Sequence, residues 1–521
     1  MNWLNTVIIV LYLAAMLTFG WWGQRRVRNR ADYLVAGRRL GPVFYAGTMA
    51  AVVLGGASAV GGMGLGYEFG ISGFWLVAAI GVGVLILSLC FAPLLQRLKI
   101  YTVTQMLGLR YGGTTTRVAS VVMLGYTLML TVTSTSAYAS IFMVLFGWDR
   151  WLALVIGGGI VLFYSTTGGM WSITLADMAQ IVVITLAVFF LMLPMSFSDA
   201  GGWSGMQERL GSEFFDIGGI GLQSIVTYFV IYTLGLLIGQ DIWQRVFTAR
   251  SPQVARWGGA GAALYCILFA VAGAVIGMAA AVLIPGIDNR DDVYAQVATE
   301  ILPMGLGGIA LAGGLAAMMS TASGGLIAAS TVAKEDVVPL VRSIVGKPVP
   351  EAGATSESRE SQAAEGKDDG EEEVQGNRLW VLGLGILTLA IAMIVPDVVA
   401  ALTIAYDLLV GGLLVAIIGG IVWKRGTGRG AMWSMVAGTA GTIVTMVVME
   451  VNAEESLDGI LANEPIYAGL ILSLVVFVAV SLMTPPTSPR VLEEWKTRIS
   501  GNSGRKGDAG AGTQDAQVMP R

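Results

Sequence analysis

The stretch Gly55–Gly66 reads GGASAVGGMGLG and lies inside an apolar run long enough to cross a bilayer. Six of its twelve residues are glycine, which disfavours continuous helix. Unwound backbone at membrane depth is tolerated only where protein covers it or where it lines a cavity. The stretch therefore predicts a membrane helix that breaks halfway and turns its carbonyls towards a ligand. A second glycine-interrupted stretch, LGLLIGQDIW (Leu234–Trp243), falls five spans later. That separation is the one expected of two five-helix inverted repeats.

The surrounding sequence is that of a helical membrane protein. Of 521 residues, 55% are hydrophobic and 13% charged, and the mean hydropathy is +0.72. A soluble chain carries roughly 25% charged residues. The apolar runs are continuous, unlike the ten-residue alternation of a membrane barrel. About thirteen of them meet the ~20-residue length of a transmembrane helix. Loops carrying Arg25–Arg39, Arg97–Arg110, Arg245–Arg256 and Lys424–Arg429 alternate with acidic loops around Asp199–Asp216, Asp288–Asp292 and Glu450–Asp458. By the positive-inside rule the N-terminus is outside and the C-terminus inside. The run Trp3–Gly23 has no basic leading segment and is longer than a signal-peptide core, so it reads as a retained first span. Residues 346–378 are acidic and free of aromatics, the composition of a disordered cytoplasmic linker; the tail, 487–521, reads the same way. The net charge of −4 reflects this linker and the acidic loops.

Several chemistries are disfavoured. The chain has no histidine, which removes the commonest general base and metal ligand. Cys90 and Cys266 lie in different apolar runs and imply no disulfide framework. With no paired catalytic acids either, an intramembrane enzyme is a poor reading. No cofactor motif occurs: GGAGAA (Gly258–Ala263) lacks the strand and lysine of a phosphate loop.

Within the ninth span, AAMMSTASGG (Ala316–Gly325) brings Ser320, Thr321 and Ser323 close together. A lone hydroxyl in a membrane helix bonds the carbonyl one turn back, or serves as a small residue for helix packing. Here Ala317, Ser320, Thr321 and Gly324 share one face. That face offers a carbonyl and two hydroxyls, neutral oxygens suited to a hard monovalent cation such as sodium. One helix cannot enclose an ion, so the partner oxygens come from another element, with Gly55–Gly66 the candidate. Two acids also stand within or at the edge of spans, Asp177 and Asp407, and intramembrane acids default to a functional hypothesis. Asp241 reads as the helical partner of Arg245, four residues on. No lysine or arginine stands mid-span, which favours a neutral, zwitterionic or cationic solute.

At this point the sequence resembles the sodium/solute symporter family, which includes proline, sugar, pantothenate and choline carriers. Four stretches carry the resemblance: ADYLVAGRRLGP (Ala31–Pro42), YTVTQMLGLRYG (Tyr101–Gly112), STTGGMWSITLADMAQ (Ser165–Gln180) and MSTASGGLIAASTVAKEDVV (Met319–Val338). It implies an all-α, leucine-transporter-type 5+5 core. Residues 1–24 form a leading helix, 41–345 core helices 1–8, 379–426 core helices 9–10, and 427–486 two additional helices. It also implies a sodium site on the carbonyls of Ala57, Val60 and Ala317 and the hydroxyls of Ser320 and Thr321. A further sodium in some members implicates Asp177 with Ser320 and Ser323, although Gly324 stands where those members carry a hydroxyl. Matching positions for solute contacts are Ser58, Tyr138, Tyr232, Gln240 and Asp407. The implied activity is sodium-coupled uptake of a small organic solute by alternating access in the plasma membrane, with Na+ as the coupling ion. A proton-coupled carrier using Asp177 or Asp407 is the nearest rival; a transporter-like sensor is a weaker one, since the tail holds no folded domain.

Overall fold

The computed structural model describes residues 3–345, 367–395, 398–454 and 457–500. Among these every regular element is a helix, apart from a parallel bridge between Leu40 and Ala249. The elements used below are α1 (Trp3–Gln24), α2 (Pro42–Val53), α3 (Gly113–Phe146), α4 (Arg150–Thr185), α5 (Leu222–Leu236), α6 (Gln240–Thr248), α7 (Leu306–Val332), α8 (Lys367–Ile394), α9 (Val398–Leu409) and α10 (Pro489–Ser500).

Among the described residues ten helical stretches are long and apolar enough to cross a membrane, and α5 with α6 makes an eleventh, bent by 46°. Two of the ten are too long for one crossing. Ala57–Leu98 has 42 residues and Arg150–Asp199 has 50; at 1.5 Å per residue each runs about twice the ~30 Å hydrocarbon thickness. Each contains a glycine with positive φ, Gly70 (φ 64°) and Gly169 (φ 52°, ψ −139°). The reversal at Gly169 can be traced along α1. Gly20 packs against Tyr164, and Ser172 donates to the Gly20 carbonyl at 2.8 Å. Gln180 donates to Tyr12 at 3.3 Å, nearer the N-terminus of α1. Positions 164 and 172 thus meet one point of α1, although a straight helix would set them about 12 Å apart. Gly169 adopts a conformation that strains any other residue, and the Tyr33 carbonyl leaves no room for a Cβ there. With the bend and both reversals counted, the ten stretches become the thirteen crossings read from the sequence.

α7 is the centre of the bundle, packed by α1, α2, α3 and α4. Every residue from Ala310 to Val332 is buried. Its glycines, alanines and serines let the neighbouring backbones approach closely, the usual solution where lipid supplies no hydrophobic drive between helices.

The two segments read as disordered differ in part. Residues 346–366 and 501–521 lie outside the described residues. Lys367–Arg378, however, opens α8. Glu373 stands 3.6 Å from Arg30 and its carbonyl accepts from Lys334 at 2.7 Å. In the tail, α10 is helical because Val491, Leu492, Trp495 and Ile499 line one face; Trp495 is buried, and the helix lies against Ala92–Leu98 and Val103–Tyr111. Composition averaged over the whole tail hid this short amphipathic stretch.

Candidate ion and solute site

The helix break falls at the start of the glycine-rich stretch. α2 ends at Val53, and Leu54 leaves helical geometry (φ −85°, ψ 62°). The chain resumes as a π-turn over Ala57–Gly61. A helix terminus strands its last four carbonyls. Here the Leu54 N–H takes that of Ala50 at 3.0 Å, and three hydroxyls take the rest. Ser320 Oγ donates to the Ala51 carbonyl at 2.5 Å, Thr321 Oγ1 to Val52 at 2.7 Å and Ser58 Oγ to Val53 at 3.1 Å. Ser320 and Thr321 also reach the Ala317 carbonyl, at 2.9 and 3.4 Å. Thr321 comes this close because residue 55 is glycine: a Cβ there would collide with its side chain.

The hydroxyl face of α7 meets the broken helix at Ala51 and Val52, with Ala57 and Val60 on the π-turn just beyond. The Ala57 carbonyl accepts from the Gly62 N–H within the π-turn. Ala57 still lines the same small cavity as Thr321, whereas Val60 does not. Gly55 and Gly56 mark the end of α2, so the stranded carbonyls belong to the residues before them.

Asp177 and Ser323 are not brought together as an ion site. Ser323 Oγ donates to the Ser320 carbonyl of its own helix at 2.9 Å. Asp177 forms a fully buried ion pair with Arg245 at 3.1 Å and accepts from Thr48. A Cβ on Gly324 would press on Val52 and on the Arg245 guanidinium. The glycine that replaces a hydroxyl residue therefore makes room for an arginine. This corrects two expectations from the sequence: Arg245 does not pair with Asp241, and a cation does stand inside the bundle.

The motif GQDIWQR at the second break resolves residue by residue. Gln240 is committed to the loop before Val103–Tyr111, accepting from the Val103 N–H at 2.8 Å and donating to the Tyr101 carbonyl at 2.9 Å; it does not line the cavity. Trp243 caps the stranded Leu237 carbonyl at 2.8 Å, and Gln244 donates to Leu34 at 2.8 Å. Asp241 turns the other way and accepts from Tyr126 at 2.8 Å.

The remaining solute positions separate. Ser58 lines the central cavity. Tyr232 stacks edge-on against Tyr406 with centroids 5.5 Å apart, and Tyr406 lines the cavity. Tyr138 is buried against Gly157 and Gly158 of α4, away from the cavity. Asp407 is fully buried, and neither carboxylate oxygen has a hydrogen-bond partner among the described residues. Asp241, Tyr126 and Tyr406 were missed as site residues. Their closeness depends on the α5–α6 bend, which spacing along the chain cannot supply.

Two interrupted helices, a buried polar seam between α2 and α7 and a small central cavity define a leucine-transporter-type secondary carrier. A family model described as the sodium:solute symporter family matches residues 33–344, and the chain belongs to that family. Among curated relatives, the sodium/proline symporter of Staphylococcus aureus (strain JH9) is 24% identical over 93% of both chains. Among solved structures, a substrate-bound, outward-open Na+-coupled sialic acid symporter superposes with a TM-score of 0.74 at 17% identity, covering 93% of this chain and 99% of that one. The inward-facing structure of Mhp1 matches with a TM-score of 0.50 at 14% identity, covering 92% and 97%. The protein is an integral membrane secondary transporter that couples the movement of a small organic solute to Na+.

Proposed function

We propose that the chain carries one Na+ with each solute molecule into the cell across the plasma membrane, and that the ion binds between α2 and α7. The observation that carries this reading is the capping of Ala51 and Val52 by Ser320 and Thr321. Both partners are neutral, buried and rich in oxygen lone pairs. A sodium ion can take up the carbonyls that now accept the hydroxyl protons, with the hydroxyl oxygens turned to it as further ligands. Ala317, and Ala57 across the cavity, are the adjoining carbonyls; Val60 lies one turn further along the π-turn.

Such an ion bridges α7 to the half of the broken helix that precedes Gly55, so its affinity depends on how those two elements are set. That dependence is what coupling requires, because a ligand shifts a conformational equilibrium only by its difference in affinity between states. One sodium moving through 100 mV contributes about 2.3 kcal/mol, and a tenfold gradient adds roughly 1.4 kcal/mol. Together they sustain a several-hundred-fold accumulation of solute. The solute class is neutral, zwitterionic or cationic, and the sodium/proline relative supports a compact amino-acid-like molecule.

We assign Asp177 to the scaffold rather than to a second ion, since Arg245 already supplies its counter-charge. A proton-coupled cycle is the competing reading, and the unpartnered Asp407 is the group it would use. Uptake by cells or proteoliposomes separates the two. Replacing external sodium by potassium is expected to abolish accumulation at constant pH. Accumulation that persists without sodium and follows a pH gradient contradicts the sodium reading.

A further inference from the structure

The central cavity measures about 30 Å³, room for about one water molecule. It is lined by Ser58, Thr133, Ser134, Thr321 and Tyr406 among others, and by one charged residue, Asp241. Asp241 is 4% exposed and forms no ion pair among the described residues. The cation nearest along its own helix, Arg245, is engaged by Asp177. Tyr126 donates the one side-chain hydrogen bond that Asp241 receives. A buried carboxylate without an ion pair is expensive; its place in the first turn of α6 and the Tyr126 hydrogen bond favour the charged form, and the residue lines the cavity. Three tyrosine rings continue from it: Tyr126 stands edge-on to Tyr406 at 5.6 Å, and Tyr406 to Tyr232 at 5.5 Å. A carboxylate beside aromatic rings is a receptor for a positively charged nitrogen, through charge pairing and cation–π attraction.

We propose that Asp241 is the solute anchor, that Tyr126 holds its carboxylate in place while Tyr406 offers a ring to the ligand, and that the transported solute carries an ammonium group. Sugars and simple carboxylates fall outside this class. At about 30 Å³ the cavity is too small for such a solute, so binding requires the surrounding helices to open. The proposal rests on the reading of this chain as a sodium-coupled carrier, and its test keeps the two apart.

Thermal stability of the purified full-length protein is measured with sodium alone, then with sodium plus L-proline, glycine betaine, choline, D-glucose or acetate. At least one ammonium-bearing solute is expected to raise the melting temperature beyond sodium alone, while glucose and acetate do not. Asp241→Asn is expected to weaken that response by about 30-fold or more and to leave the shift with sodium alone intact. Should Asp241→Asn fail to fold, Asp241→Glu and Tyr126→Phe are each expected to weaken the same response. Stabilisation by glucose or acetate only, no response to any ammonium solute, a variant that responds like the wild type, or loss of the sodium shift in Asp241→Asn each overturns the assignment. A wild-type protein that ignores sodium but still binds an ammonium solute through Asp241 overturns the sodium reading alone.

Discussion

Replacing Arg245 by Met is expected to destabilise the protein by about 3–5 kcal/mol, because it leaves the Asp177 carboxylate buried without a counter-charge. Both side chains have 0% exposure, and their atoms lie 3.1 Å apart. Thr48 adds a hydrogen bond to the same carboxylate oxygen, but a hydroxyl dipole cannot replace a guanidinium. Removing both charges together is far milder, since a buried pair roughly balances its desolvation against its attraction. The double variant Arg245→Met with Asp177→Asn is therefore expected to recover most of the loss. Unfolding of the three variants in detergent, followed by temperature or denaturant, measures the cycle. If Arg245→Met alone is as stable as the wild type, Asp177 has another counter-ion and its assignment to the scaffold fails.

Ser320→Ala combined with Thr321→Ala is expected to raise the sodium concentration for half-maximal uptake by roughly 10- to 100-fold. That is the worth of one or two hydrogen-bond-class contacts to a charge. The cost to folding is about 1 kcal/mol per lost cap on a carbonyl of α2, a modest part of the stability of a chain this size. The double variant should thus reach the membrane in near-normal amounts while its sodium response moves far to the right. Thr321→Ser keeps the oxygen and is expected to stay near the wild type. A sodium titration of initial uptake rates, normalised to protein in the membrane, distinguishes an ion site from a packing contact. An unchanged titration in the double variant contradicts the site.

The parts of this architecture that the sequence revealed are those written in local residue patterns. Glycines marked both helix breaks, and the i, i+3, i+4 spacing of Ala317, Ser320 and Thr321 marked the face that meets the first break. The apolar runs gave the count of crossings and the alternating basic and acidic loops supported it; the lengths of the unbroken helices understate it, since Gly70 and Gly169 reverse the chain within continuous helical stretches. The features that escaped depend on distant partners. Arg245 was matched to Asp241 because that acid is one turn away, yet its partner, Asp177, is 68 residues distant. Gln240 and Tyr138 were chosen as polar or aromatic residues on core helices; which way each points follows from the bend of α5 against α6 and from the close packing of α3 on α4. Ala57 and Val60 were assigned as ion ligands by resemblance; the hydroxyl caps on Ala51, Val52 and Val53 follow from where α2 ends.

The central claim, one sodium held by neutral oxygens between α2 and α7 for each solute moved, is tested most directly by a coupled-flux ratio. Purified protein in sealed proteoliposomes, with the membrane potential clamped, is supplied with radiolabelled sodium and labelled solute, and initial influx of both is measured. The account expects a ratio of one, with both fluxes lost together in Ser320→Ala/Thr321→Ala at low sodium. A ratio of two returns Asp177 to the ion pathway, and solute influx without sodium influx contradicts the account outright.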